Sequence, residues 1–236
     1  MAARFALAPN SLSYCGKSGF GKKSAAYFSR PSKAGRAALE KPLRSFKAHY
    51  AYLRLIARAS GKRPFGAKVP EALWIGNSLL GKVRRKDMQK LILSEFSGPG
   101  LLPREKAIRL ADALPKGVLP HHSFHALYLH TITGVIRPSV KNADSCMVHW
   151  GKVLQIGKGA ALVQSQRLVR KKGKLLLIPC KRRLRLSCAG ISPCPHLRAG
   201  DPVASHWDFA VMALSPRQSA ALEKATRRNI GALNRG

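Results

Sequence analysis

The chain has 236 residues and carries 43 Lys and Arg against 10 Asp and Glu, a formal net charge of +33. That length buries a real core in one or two domains, and the charge favours polyanionic partners while opposing self-association. Five cysteines make an odd set in a chain too long for a disulfide-stapled miniprotein, so a reduced, cytoplasmic protein is expected, and no apolar run reaches the roughly 18–20 residues of a membrane helix.

Residues 1–39 contain no carboxylate and have transit-peptide composition, yet Arg4 to Gly16 reads as a structured motif. Gly16 to Lys23 nearly matches a phosphate-binding loop, but Lys23 stands where the magnesium-binding Ser or Thr belongs. After Pro42, the residues Leu43, Phe46, Tyr50, Leu53 and Ile56 form the stripe of an amphipathic helix that ends at Gly61 and Pro64. A second helix is expected from Pro70-Glu71, carrying Leu73, Trp74, Leu79 and Leu80 and weakened by Gly76. A third runs near Asp87 to Phe96, before Ser97-Gly98-Pro99-Gly100 breaks the chain. A fourth starts near Pro103, and a last helical segment covers Ser123 to Thr131.

The texture changes near residue 140. Short apolar runs on either side of Gly157-Lys158-Gly159 are a hairpin signature, and Gly173 offers a second turn. Pro202 to Phe209 reads as a final strand, and Ser215-Pro216 as the N-cap of a helix reaching Leu233. The expected fold class is α+β: a mostly helical domain over residues 1–140, then an OB-like β-barrel with a C-terminal helix over 141–236. The charge divides evenly, 26 basic against 7 acidic residues in 1–144 and 17 against 3 in 145–236.

Cys146 opens the β-rich unit and His206 lies on its last expected strand. A thiolate and an imidazole together suit a soft or borderline metal, and the expectation is that both converge on one rim of the barrel. His149 is an additional candidate ligand. Cys146, Gly151-Lys152-Val153, Gly200-Asp201, His206 and Phe209-Ala210, followed by a helix, resemble in order and spacing the HypC/HupF family of nickel–iron hydrogenase maturation chaperones. The resemblance covers residues 145–230. It implies that Cys146 and His206 help carry an iron fragment, and that the partners are a maturation scaffold protein and the hydrogenase large-subunit precursor. The family's cysteine follows the initiator Met, whereas Cys146 is internal, and Trp150 stands in place of the family's proline. Arg4 to Gly16, Ala72 to Leu80 and Leu119 to His125 are similar to blocks of an uncharacterised prokaryotic family with a HypC-like tail, associated with hydrogenase gene clusters.

His121, His122 and His125 form a second cluster, with His130 beyond it. On a helix His121 and His125 sit one turn apart and can share an ion; alternatively these rings cap backbone groups or stack on Phe124 and Tyr128. Cys180, Cys188, Cys194 and His196 lack the paired Cys-x-x-Cys spacing of structural zinc sites. Arg167, Arg170, Lys171, Lys172, Lys174, Lys181, Arg182, Arg183 and Arg185 offer a phosphate path for nucleic acid, the alternative function, though no aromatic interrupts that run for base stacking. No close carboxylate pair or nucleophile elbow appears, so no enzymatic activity is expected.

Overall fold

The computed structural model describes residues 1–97, 101–129 and 137–235. Its first element, α1 (Ala2–Ser11), is helical in the stretch that reads only as a motif from sequence, and it buries Phe5, Ala6 and Leu7. Two further helices follow, α2 (Phe20–Ser29) and α3 (Lys33–Arg44). The apolar stripe from Leu43 to Ile56 is divided between α3 and α4 (Lys47–Ser60), because the Ser45 hydroxyl donates to the Pro42 carbonyl at 2.7 Å and closes α3 there. α4 ends, as expected, on Gly61 with φ +65°.

The helix expected from Pro70 to Leu80 is shorter. α5 (Lys68–Trp74) stops before Gly76, which has φ +100°, and a 3₁₀ turn over Ser78–Lys82 buries Leu79 and Leu80. A Cβ on Gly76 would lie 3.1 Å from the Ala221 carbonyl oxygen, so the break also lets the C-terminal helix approach. α6 (Arg85–Lys90) runs into a π-helical stretch, Leu91–Phe96, and is followed by α7 (Arg104–Asp112). A single turn, α8 (His122–Phe124), continues as a π-helical segment, His125–Leu129. Residues 98–100 of the expected break, and His130 to Thr131 at the end of the expected segment, lie outside the described residues.

α9 (Val140–Cys146) is capped by the Ser139 hydroxyl and delivers the chain to β1 (His149–Gly157). The hairpin to β2 (Ala160–Lys171) forms at Lys158-Gly159, and the turn to β3 (Lys174–Arg185) uses Lys172 and Gly173, both at positive φ. The single strand expected over Pro202–Phe209 is instead a tight hairpin. β4 (Pro202–His206) and β5 (Phe209–Ala213) flank Trp207 and Asp208, at φ +55° and +58°, a two-residue turn with left-handed backbone at both positions. Strand order is β1-β2-β3-β5-β4, with β4 also pairing β1, so the sheet closes on itself. Its seam is one pair, Arg185 with Phe209, covered by the Arg185 guanidinium 3.9 Å from the Phe209 ring centroid.

α10 (Pro216–Leu233) begins with a capping box between Ser215 and Gln218. Its buried Leu222 and Ala225 join a core cluster that holds Phe5, Tyr52, Trp74 and Phe96 from the helices with Trp150, Ala204 and Val211 from the strands. Helical and β parts therefore share one hydrophobic core. Among the described residues no helix is long and apolar enough to cross a membrane.

Candidate metal centre

Three elements meet where the helical layer packs on the sheet. Cys146 closes α9, His206 closes β4, and His122 opens α8. One ligand atom from each lies within 4.8 Å of the others, and this is the one such group of three metal-binding side chains among the described residues. Their exposures are 5%, 2% and 8%. The pair Cys146 and His206 thus converges as expected, but inside the wall between sheet and helices rather than on an open rim.

Each side chain is aimed by its surroundings. His206 Nδ1 donates to the Phe5 carbonyl oxygen at 2.9 Å, which leaves Nε2, without a hydrogen-bond partner among the described residues, as the atom available to a metal. His122 Nε2 donates to the Cys146 carbonyl oxygen at 2.8 Å and stands 3.9 Å from its sulfur. Trp74 forms one wall: its ring stacks on Phe5 at 4.8 Å and meets His122 at 4.2 Å and His206 at 5.4 Å.

α9 is held by Asp144, two residues before the cysteine. The Asp144 carboxylate accepts from the Leu168 backbone N–H at 2.7 Å and from Arg182 Nη2 at 2.6 Å. His149, also a candidate ligand by sequence, is drawn into this network, with Nε2 2.8 Å from the Asp144 carbonyl oxygen and 3.1 Å from its carboxylate.

Burial governs the protonation of the cluster. It depresses His206 to about 4 and holds His122 well below its usual value, with repulsion from His206 and His125 adding to the effect. The same desolvation pushes the Cys146 thiol far above the ordinary range. At neutral pH the two rings are therefore neutral, as ligation requires, while the sulfur keeps its proton until a cation displaces it. Such a thiol is a poor nucleophile and a good latent ligand.

The other histidines of the 121–125 run do different work. His121 accepts the Ser123 N–H at 3.2 Å as the cap of α8, and burial lowers it to about 4. His125 packs against Tyr52 and Phe96 at ring separations of 5.7 and 5.8 Å. His121 and His125 lie outside the group of three ligand atoms within 4.8 Å, although His125 borders the same cavity. The donor not singled out from sequence is His122. Its signal was present, since it lies in the same histidine run, but spacing along a helix cannot show which ring faces a cysteine 24 positions away.

The remaining cysteines do not gather into the alternative zinc set. Cys188 donates to the Ser11 hydroxyl at 2.8 Å, Cys180 is half-buried on β3, and Cys194 packs with Val153 and Leu184. Of the nine basic residues from Arg167 to Arg185, all but Arg182 are exposed, whereas Arg182 is paired with Asp144 and Asp208.

Closed sheet, helical layer and enclosed donor group together define a mixed α+β protein with a buried thiol–imidazole cluster. The chain belongs to DUF6390, a family of unknown function whose model matches residues 1–236. No curated protein and no solved structure matches it.

Proposed function

We propose that the protein is a non-enzymatic accessory factor in metallocentre assembly that holds a soft or borderline metal between His122, Cys146 and His206. The observation that carries this reading is the meeting of three donors from three separate elements within 4.8 Å. Thiolate and imidazole donors together favour such ions over magnesium or calcium. Phe5 and Trp74 pack beside the cluster, and the Phe5 carbonyl fixes the His206 tautomer.

The resemblance of residues 145–230 to HypC/HupF supports a more specific role. On that reading the five strands form an OB-like barrel, the client is the nickel–iron hydrogenase large-subunit precursor, and a maturation scaffold is the docking partner. The cargo is an iron fragment received at Cys146 and His206.

Metal content and partner capture test this. Purified wild type should retain metal and pull down the maturation scaffold, and Cys146→Ser, His206→Ala and His122→Ala should lose metal while keeping their far-ultraviolet circular dichroism. Equal metal content and equal capture in all four proteins would remove the reading.

A second reading, nucleic-acid binding, is favoured by the long β2–β3 hairpin, which presents eight exposed cations without intervening carboxylates. Charge alone makes that path sequence-independent.

A further inference from the structure

We propose that Cys15 is the fourth donor, closing His122, Cys146 and His206 into a two-thiolate, two-imidazole site for a divalent ion of the zinc class. The inference rests on the metal site proposed above and deepens it by naming the full ligand set and the ion.

A cavity of about 50 Å³ lies at the cluster, and Cys15 lines it together with His122, Cys146 and His206. Its other walls include Phe46, Trp74, Trp207 and the rings of His49 and His125, and no carboxylate faces it; of these further donors only Cys15 can bring a negative charge. Such a space is large enough for an ion or a few waters and too small for an organic ligand.

Charge then decides between three donors and four. A divalent cation bound by one thiolate and two neutral imidazoles would leave a positive charge buried in an apolar pocket, within a chain already at +33. A second thiolate neutralises it. It also fills the fourth vertex of the tetrahedron that zinc adopts with sulfur and nitrogen ligands. On binding, the protons of both thiols leave to solvent.

The loop carrying Cys15 is specified, not incidental. The Asn10 side-chain amide donates to the carbonyls of Cys15 and Lys17, both at 2.9 Å, and the backbone N–H groups of Tyr14 and Cys15 return to the Pro9 carbonyl. Gly16 follows at φ +78°, with the Phe46 ring lying where its Cβ would be, 2.4 Å away at the nearest atom. Only glycine permits that lid of aromatic carbon over the turn.

Cys15 does not fall within the 4.8 Å that spans the other three ligand atoms, so its side chain closes the set only by turning toward them. It is half-buried where the others are enclosed, which makes it the donor at the mouth. A ligand from a client would replace Cys15 first.

Cobalt(II) reports this directly. Metal-free full-length wild type and Cys15→Ser should be titrated with Co²⁺, following visible absorption and the number of thiols that remain reactive to a disulfide reagent. One Co²⁺ per chain should give an intense tetrahedral d–d band and protect two thiols in wild type. In Cys15→Ser it should protect one, with the sulfur-to-cobalt charge-transfer band about halved and affinity weakened at least tenfold. Cys15→Ala should behave like Cys15→Ser, and Cys180→Ser like wild type. Identical spectra and affinities for wild type and Cys15→Ser would overturn the fourth ligand while leaving the three-donor site standing. No Co²⁺ bound by wild type would remove the metal site itself.

Discussion

His206 on β4 donates its Nδ1 hydrogen to the carbonyl oxygen of Phe5 on α1, at 2.9 Å and across 201 positions of sequence. One hydrogen bond thus joins the β part to the first helix and decides which ring nitrogen faces the cluster. A backbone acceptor cannot be deleted by ordinary substitution, but the Phe5 side chain that anchors it can be cut away.

Phe5→Ala should destabilise the protein by about 3–5 kcal/mol, the usual range for removing a fully buried phenylalanine. Phe5 has no exposure and stacks on Trp74 at 4.8 Å, so the void would open beside His206. Chemical denaturation gives the first number and metal titration the second, and both stability and metal affinity should fall. Loss of stability with unchanged affinity would mean that His206 is aimed by something other than α1.

Metal removal should lower the melting temperature. Ligation at a cluster assembled from α8, α9 and β4 exists only in the folded chain, so each tenfold excess of free ion over its dissociation constant adds about 1.4 kcal/mol. Calorimetry with and without chelator should show a shift in wild type and none in Cys146→Ser. A chelator shift of the same size in both proteins would place the ion elsewhere.

Asp144 and Arg182 form a pair at 2.6 Å, with side-chain exposures of 16% and 11%. The same carboxylate also accepts the Leu168 N–H, so Asp144→Ala should cost about 2–3 kcal/mol, in the range of lost charge-assisted hydrogen bonds. Arg182→Ala should cost less, because Asp144 keeps Leu168 and His149. A double-mutant cycle measures their coupling, and a value near zero would show that α9 is held by packing alone.

Acid should weaken the fold well before carboxylates dominate. Burial sets His49 to about 3 and His121 to about 4, against 6.5 for free imidazole. Between those limits the unfolded chain binds protons that the folded chain refuses, so stability rises with pH and falls as pH drops from about 6.5 toward 4. Each such ring contributes a slope of up to about 1.4 kcal/mol per pH unit. His49→Gln and His121→Gln should flatten the profile measured by urea denaturation at pH 7, 6 and 5; an unchanged slope would mean these rings take up protons without unfolding.

The β2–β3 hairpin should bind single-stranded RNA only at low salt. Its exposed Lys and Arg neutralise phosphates, but no aromatic stands between Arg167 and Arg185 to stack on a base. Affinity should fall by orders of magnitude between 50 and ~200 mM salt, and Lys171→Glu with Lys174→Glu should reduce the slope. Tight binding that resists salt would favour the nucleic-acid reading over the metal one.

Much of this architecture is written in local signals. Ser215-Pro216 with Gln218 announces α10, Gly157-Lys158-Gly159 marks the first hairpin, and Gly61 ends α4, because caps and tight turns demand particular residues at fixed offsets. Other features needed tertiary context. The β4–β5 turn uses Trp207 and Asp208 in left-handed backbone, without the Asn-Gly or Gly-Gly pair that makes such turns visible. α1 contains Pro9 and no charge pattern beyond Arg4, so its helical period is faint, although its buried Phe5 and Leu7 are central to the core. At the cluster, Cys146 and His206 were legible through their order in the β unit. His122 was not, since it reaches the cluster from the helical half by a contact that no spacing encodes.

The core cluster shared by α1, β4 and α10 has a consequence for biosynthesis. Phe5 leaves the ribosome some two hundred residues before the strand bearing its partner His206. Until then the part of the front helices' apolar surface that packs on Trp150, Ala204 and Leu222 has no cover, and contacts this distant in sequence close slowly. The cluster of His122, Cys146 and His206 is therefore complete only once β4 has been made.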